Sequence, residues 1–279
     1  MNTSKIKSQT DIEWSTLGQH GAKQLLSNFL SLGSTDMLPH AFLFLGPMGV
    51  GKSNFAKEFA RKTFEMSGTK PEVFEYDFND NPSIESLREL ISLSNLTSVG
   101  QKKVFILNNF QKASQSSVNS LLKTLEEPSI SSMFLLISNS NRVLPTVMSR
   151  CIVVRCFSVP GQSNSLELPA SLQALVSPYP QLSERLSKDE DLANLLSDNM
   201  AFLQKGGLSI VNKLSDLESD QLTLLLQLWT EYLKQKLHSG ENIEININNL
   251  KVASRTRNEI QKSFNTKLVL QQFLLETKI

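Results

Sequence analysis

Cysteine is scarce in this chain, and the two that occur are not placed to pair. Cys151 and Cys156 would point to opposite faces of an extended segment, because their separation is odd. Neither a disulfide nor a zinc site is therefore expected. Histidine is equally sparse: His20, His40 and His238 share no metal spacing and have no nucleophile partner. Charge of either sign is not in surplus, with 28 Lys and Arg against 27 Asp and Glu. That balance gives no electrostatic basis for non-specific nucleic-acid binding and leaves any DNA contact to a local patch. No apolar run approaches membrane-spanning length, and the polar N-terminal stretch lacks the apolar core of a signal peptide, so a cytoplasmic location is expected. At 279 residues, 40% hydrophobic and 20% charged, the composition is that of a globular protein with room for two or three compact units.

What is present begins with an apolar run of strand length, His40-Ala41-Phe42-Leu43-Phe44-Leu45. It leads into Gly46-Pro47-Met48-Gly49-Val50-Gly51-Lys52-Ser53 and then a segment with Phe55, Phe59, Ala60 and Phe64 at helical spacing. Strand, glycine-rich turn and helix in this order form a phosphate cradle of the GxxxxGK[ST] type. The glycines allow backbone N–H groups to close around an oxyanion, and the following helix adds the positive end of its dipole. Lys52 would reach the outer phosphates of ATP or ADP, and the Ser53 hydroxyl would take a place on magnesium.

Around this stretch the chain alternates between two periods. A lead-in helix carries Leu25, Leu26, Phe29 and Leu30. Val73 to Phe78 alternates as a strand, and Ile84, Leu87, Leu90 and Ile91 predict a helix to about Asn95 with Ser83 as its cap. Lys103 to Leu107 is a short strand whose Lys102-Lys103 start is expected at an exposed strand end. Val118, Leu121, Leu122 and Leu125 fall at i, i+3, i+4 and i+7 before Pro128, with Lys123 on the polar side. Met133 to Ile137 and Ile152 to Phe157 read as strands, separated by a helical turn at Pro145 to Arg150. The expected fold is α/β, a parallel sheet with helices on both faces.

After Phe157 the strand signal fades. Ser158 to Pro180, with four prolines, reads as a linker that includes a short helix. Leu192, Leu195, Leu196 and Met200 form one helical stripe, and Leu222, Leu225, Leu226, Trp229 and Leu233 form another. Ile260, Phe264 and Leu268 suggest a third. Ile243, Ile245 and Ile247 alternate with Glu244 and Asn246 and predict an extended connection between helices.

A phosphate cradle that hydrolyses nucleotide needs acids at the end of a neighbouring strand, one to orient magnesium and one to activate water. The candidate strand ends in Asn108-Asn109. Asparagine carries no charge for the hydrated metal and cannot take a proton from water, so slow or absent turnover is expected. If the acids lie elsewhere, Asp77 and Asp80 after the preceding strand are the candidates.

Trp14, Gly18-Gln19, His40-Ala41, the cradle itself, Asn119 to Pro128 (NSLLKTLEEP), Leu144-Pro145-Thr146 and Ser149-Arg150-Cys151 occur in an order that closely resembles the bacterial DNA polymerase III clamp loader, a group of AAA+ proteins. The likeness covers about residues 14 to 157; beyond it the match is weak, chiefly through Asn265, Leu268, Leu270, Phe273 and Leu274. The resemblance implies an AAA+ nucleotide-binding domain over 1–157, a small helical lid over 158–215 and an all-α collar for oligomerisation over 216–279. Within the group the chain resembles the stationary delta-prime type rather than the motor type. It lacks the cysteine cluster of the zinc module, has amides at 108 and 109, and has no arginine between Arg185 and Arg255 to serve as the second sensor. Ser138 and Asn139 match the first-sensor position. Arg150 would project to a neighbour's ATP as an arginine finger. The partners so implied are the other loader subunits, of delta and gamma/tau type, and through the complex the sliding clamp and primer-template DNA. Two alternatives stay open: an active motor subunit of the same ring, and a free-standing P-loop enzyme such as a nucleotide-dependent kinase.

Overall fold

In the computed structural model the described residues are 12–32, 38–66, 68, 70–80, 84–96, 102–140, 143–159, 168–205, 210–260 and 265–277. Ser83, Phe264 and the proline-bearing start of the linker at Pro160 lie outside them. The chain divides into two compact units, Met1–Val159 and Pro160–Ile279.

The first unit alternates helix and strand: α1 (His20–Leu30), β1 (Ala41–Leu45), α2 (Lys52–Met66), β2 (Glu72–Asp77), α3 (Ile84–Asn95), β3 (Lys103–Asn108), α4 (Gln115–Glu126), β4 (Ser132–Ser138), α5 (Pro145–Met148) and β5 (Ile152–Arg155). The five strands form one sheet in the order β2-β3-β4-β1-β5, and every adjacent pair is parallel. β1 and β4 are buried along their whole length, which is why each reads as an unbroken apolar run rather than an alternation. Period two then assigns their side chains to two cores. Leu43, Leu45, Phe105, Leu107, Phe134 and Leu136 pack with Leu87, Val118, Leu121, Leu125 and Val147 from α3, α4 and α5. On the opposite face Phe42 and Phe44 meet Phe29, Phe55 and Phe59 edge to face, with centroids 4.8–5.8 Å apart. Trp14 joins this second core by its edge contact with Phe55 at 5.1 Å, and its indole N–H donates to Ser27 Oγ.

α4 starts where Ser114 Oγ accepts from the Ser117 N–H and stops two residues before Pro128. Lys103 departs from the expected exposed strand end. It is 4% exposed, and its ammonium donates to the carbonyls of Leu93 and Leu96, closing the C-terminal end of α3. Two adjacent lysines read as solvated because sequence does not show that a helix ends against the strand.

The second unit is helical throughout its described residues: α6 (Ala170–Val176), α7 (Pro180–Lys188), α8 (Glu190–Lys205), α9 (Ile210–Ser215), α10 (Ser219–His238), α11 (Ile243–Ile260) and α12 (Thr266–Glu276). α10 buries Leu222, Leu225, Leu226, Trp229 and Leu233, the stripe read from the sequence. The isoleucine alternation was misleading. Ile243, Ile245 and Ile247 lie in the first turns of α11 and are exposed. The buried face of that helix is instead Asn246, Asn249, Val252, Ala253, Thr256 and Ile260, a helical spacing hidden by its polar members. The supposed third stripe also divides, since α11 ends at Ile260 and a new helix begins beyond Asn265, whose side chain accepts from the Leu268 N–H. No helix among the described residues is long and apolar enough to cross a membrane.

The lead-in segment is strapped to α2 by one carboxylate. Glu58 accepts from the Ser15 and Thr16 N–H groups and from Thr16 Oγ1 at 2.5–2.9 Å. Burial opposes its ionisation, but these hydrogen bonds outweigh burial and hold the carboxyl below its ordinary value. Its contribution to stability is therefore full above the unfolded carboxyl value and is lost as pH falls through the lower folded one. Glu58→Gln should cost about 2 kcal/mol at neutral pH. In thermal denaturation scans the gap to the parent should close on acidification through the carboxylate range.

Candidate phosphate site and the surface arginine

The C-terminal ends of the strands meet where the sheet order reverses, with β1 lying between β4 and β5, and the cradle opens from that point. Register places Leu45 beside Ser138 and Asn108 beside Asp77. Gly46 follows β1 so closely against the exit of β5 that a Cβ there would overlap the Cys156 carbonyl oxygen. Gly49 and Gly51 have φ of 83° and 90°, the left-handed region that glycine occupies without strain. α2 then starts at Lys52, so the first N–H groups of a 15-residue helix face the loop.

Lys52 is 3% exposed. Its ammonium donates to the Pro47 carbonyl and to Asn139 Oδ1, each at 2.7 Å. Burial pushes its pKa down to about 8, against a smaller opposing effect from Cys156. Ser53 Oγ donates to Asn108 Oδ1 at 3.3 Å. The same amides continue away from the loop. Asn139 Nδ2 donates to Asn109 Oδ1 at 3.0 Å, and Asn109 Nδ2 donates to Asp77 Oδ1 at 2.8 Å. Asn109 itself adopts φ 54°, turning the chain out of β3 into a 3-10 turn at Phe110–Lys112. The Asn139 N–H is held by Gln111 Oε1 at 3.0 Å.

Gly46, Gly49, Gly51, Lys52, Ser53, Asn108, Asn109 and Asn139 lie together at this end of the sheet. Ser138 lies at the same strand end, its carbonyl accepting from the Gly46 N–H at 3.3 Å and its hydroxyl donating to the Ser140 carbonyl. Arg150 is apart, just beyond α5, where Nη1 donates to the Thr146 carbonyl and Ser149 Oγ and Nη2 pairs with Glu126. Asp77 enters the network at its far end, with Asn79 N–H as a second donor to its carboxylate. Sequence reading gave no role to Gln111 or Glu126, because a partner across 24 or 28 residues leaves no periodic signature. Gln19 was visible only as a motif member; its side-chain amide donates to the Phe157 carbonyl and accepts from the Phe157 N–H.

Chemically the loop, the helix start and the ammonium can receive an anion. A hydrated divalent cation fits less well. Ser53 Oγ faces a neutral amide at Asn108, and the nearby carboxylate, Asp77, is already engaged by two donors. Among the described residues no three His, Cys, Asp or Glu side chains gather as a metal site.

A carboxylate at 109 would face Asp77 acceptor to acceptor. Asn109→Asp should therefore lose about 1–3 kcal/mol in denaturant unfolding at neutral pH. The double change Asp77→Asn with Asn109→Asp, which restores a donor opposite an acceptor, should recover most of that loss.

A family model described as DNA polymerase III, delta subunit, matches residues 76–159. DNA polymerase III subunit delta' of Pseudomonas aeruginosa is 33% identical over 49% of this chain and 48% of its own length. DNA polymerase III subunit gamma of Buchnera aphidicola is 27% identical over 75% of this chain and 64% of its own length. The chain thus spans about half and just under two thirds of these two relatives. A DNA polymerase III gamma subunit-related protein of Thermotoga maritima aligns over 88% of this chain and 97% of that one, at 19% identity and a TM-score of 0.44. The sheet order, not that last likeness, defines the fold. The chain thus combines a glycine loop at the reversal of a five-stranded parallel sheet with sequence similarity to DNA polymerase III delta'- and gamma-type subunits.

Proposed function

We propose that this chain is a delta-prime-type stationary subunit of a clamp loader, which binds ATP or ADP with little or no turnover and acts on a neighbour's nucleotide through Arg150. The observation that carries the reading is the pair of amides, Asn108 and Asn109, at the strand end beside an intact cradle. Neither can serve as a base toward water, and both are hydrogen-bonded within the protein, Asn108 to Ser53 and Asn109 to Asp77 and Asn139, rather than open to a metal. When bound, the nucleotide would supply a triphosphate to the Gly46–Ser53 loop. Lys52 would neutralise it, exchanging Asn139 Oδ1 and the Pro47 carbonyl for phosphate oxygens. Arg150, at the surface end of α5, would stabilise charge on another chain's phosphate. Residues 1–157 would be the AAA+ α/β domain, 158–215 the lid and 216–279 the collar. Partners would be delta and gamma/tau-type subunits, and through them the sliding clamp and primer-template DNA, in the cytoplasm.

Isolated protein should bind nucleotide, most tightly below about pH 8 and more weakly above it as the Lys52 ammonium is lost. Lys52→Ala should abolish both binding and its pH dependence, measured by titration calorimetry. In the reconstituted loader, Arg150→Ala should lower DNA-stimulated ATP turnover by about a thousandfold; unchanged turnover would exclude the finger role. The gamma-type likeness supports a second reading, a working motor. That reading requires ATP hydrolysis by the isolated chain that disappears with Lys52→Ala.

A further inference from the structure

The surroundings of Arg150 are more specific than those of an exposed side chain awaiting a partner. Three acceptors hold its guanidinium inside its own chain: the Thr146 carbonyl at 2.7 Å, Ser149 Oγ at 3.3 Å and the Glu126 carboxylate. The remaining donor, Nε, is buried with no acceptor at all. Glu126 is the last residue of α4, so its carboxylate and the negative end of that helix act on the cation together. The pair lies at the surface, with Glu126 48% and Arg150 31% exposed, where ion pairs open at little cost. Two consequences follow from elementary electrostatics. A guanidinium whose charge is balanced by a carboxylate contributes little to a phosphate, so Arg150 must leave Glu126 before it can act. A triphosphate outcompetes one carboxylate, both by charge and by offering oxygens to Nε and Nη2 together, and a diphosphate or an empty site does so less well.

We infer that Glu126 is a specificity-determining residue: it retains Arg150 on its own chain and releases it only to a neighbouring subunit that carries a nucleoside triphosphate. This rests on the finger role proposed above.

The test is the affinity of this chain for its motor subunit loaded with a slowly hydrolysed ATP analogue or with ADP, measured by biolayer interferometry. The parent should prefer the ATP-analogue state. Glu126→Gln, isosteric at a half-exposed position, should tighten binding in both states, because no ion pair has then to break, and should make ADP-state affinity depend on Arg150: adding Arg150→Ala should weaken it about tenfold, whereas Arg150→Ala alone should leave the parent's ADP-state affinity unchanged. Glu126→Ala should do the same. If ADP-state affinity stays independent of Arg150 in both Glu126 variants while Arg150→Ala abolishes the parent's preference, the finger role stands and the Glu126 role is overturned. If Glu126→Gln instead weakens ATP-state binding as Arg150→Ala does, the carboxylate orients the guanidinium rather than retaining it, and the inference is again overturned. If Arg150→Ala leaves the preference intact, both readings fail.

Discussion

The complete burial of β1 between β4 and β5 is the constraint on which the rest of the first unit depends. A strand covered on both faces has no solvent face on which to carry function, so polar chemistry is confined to where it ends. That end is also where the sheet order reverses, and the loop from Gly46 leaves β1 there. The tight pass of Gly46 against Cys156, the start of α2 at Lys52 and the arrival of Asn108 and Asn139 all follow from this one placement.

What is unusual about the site lies in its hydrogen-bond sense. Carboxylates at the end of β3 would be acceptors only and would need a cation between them and Asp77. Amides are donors on one side and acceptors on the other, so Asn109 and Asn139 can pass a chain of hydrogen bonds from Lys52 to Asp77 with no ion present. The buried lysine is thereby satisfied within the protein itself. Amides at these positions are coherent with their surroundings, because the groups around them are oriented to match.

The sheet and the cradle were legible in the sequence because each is encoded locally. An apolar run of five residues, a glycine spacing and the leucine stripe of α4 all declare themselves within a dozen positions. α11 was not, because its buried face is built partly from Asn246, Asn249 and Thr256 while its isoleucines face outward, which inverts the pattern that periodicity reads. Lys103 was misplaced for a related reason: a lysine is compatible with burial when carbonyls of another element surround its ammonium, and nothing nearby in sequence announces them. At the site, spacing located the loop and the amides but not their connections. Gln111 and Glu126 acquire their roles from α4, β4 and α5 being neighbours, which is information about the tertiary fold.

One connection within the first unit has a wider consequence. Gln19 grips both polar groups of the Phe157 backbone, so the segment that enters the unit and the segment that leaves it are sewn together side by side. A module whose entry and exit share a seam is closed upon itself: it can be spliced into another chain, or cut at a surface turn and rejoined at the seam, without any strand changing its neighbours. The seam lies next to Cys156, which in turn lies against Gly46. The glycine loop is therefore braced against the same point at which the chain is fastened.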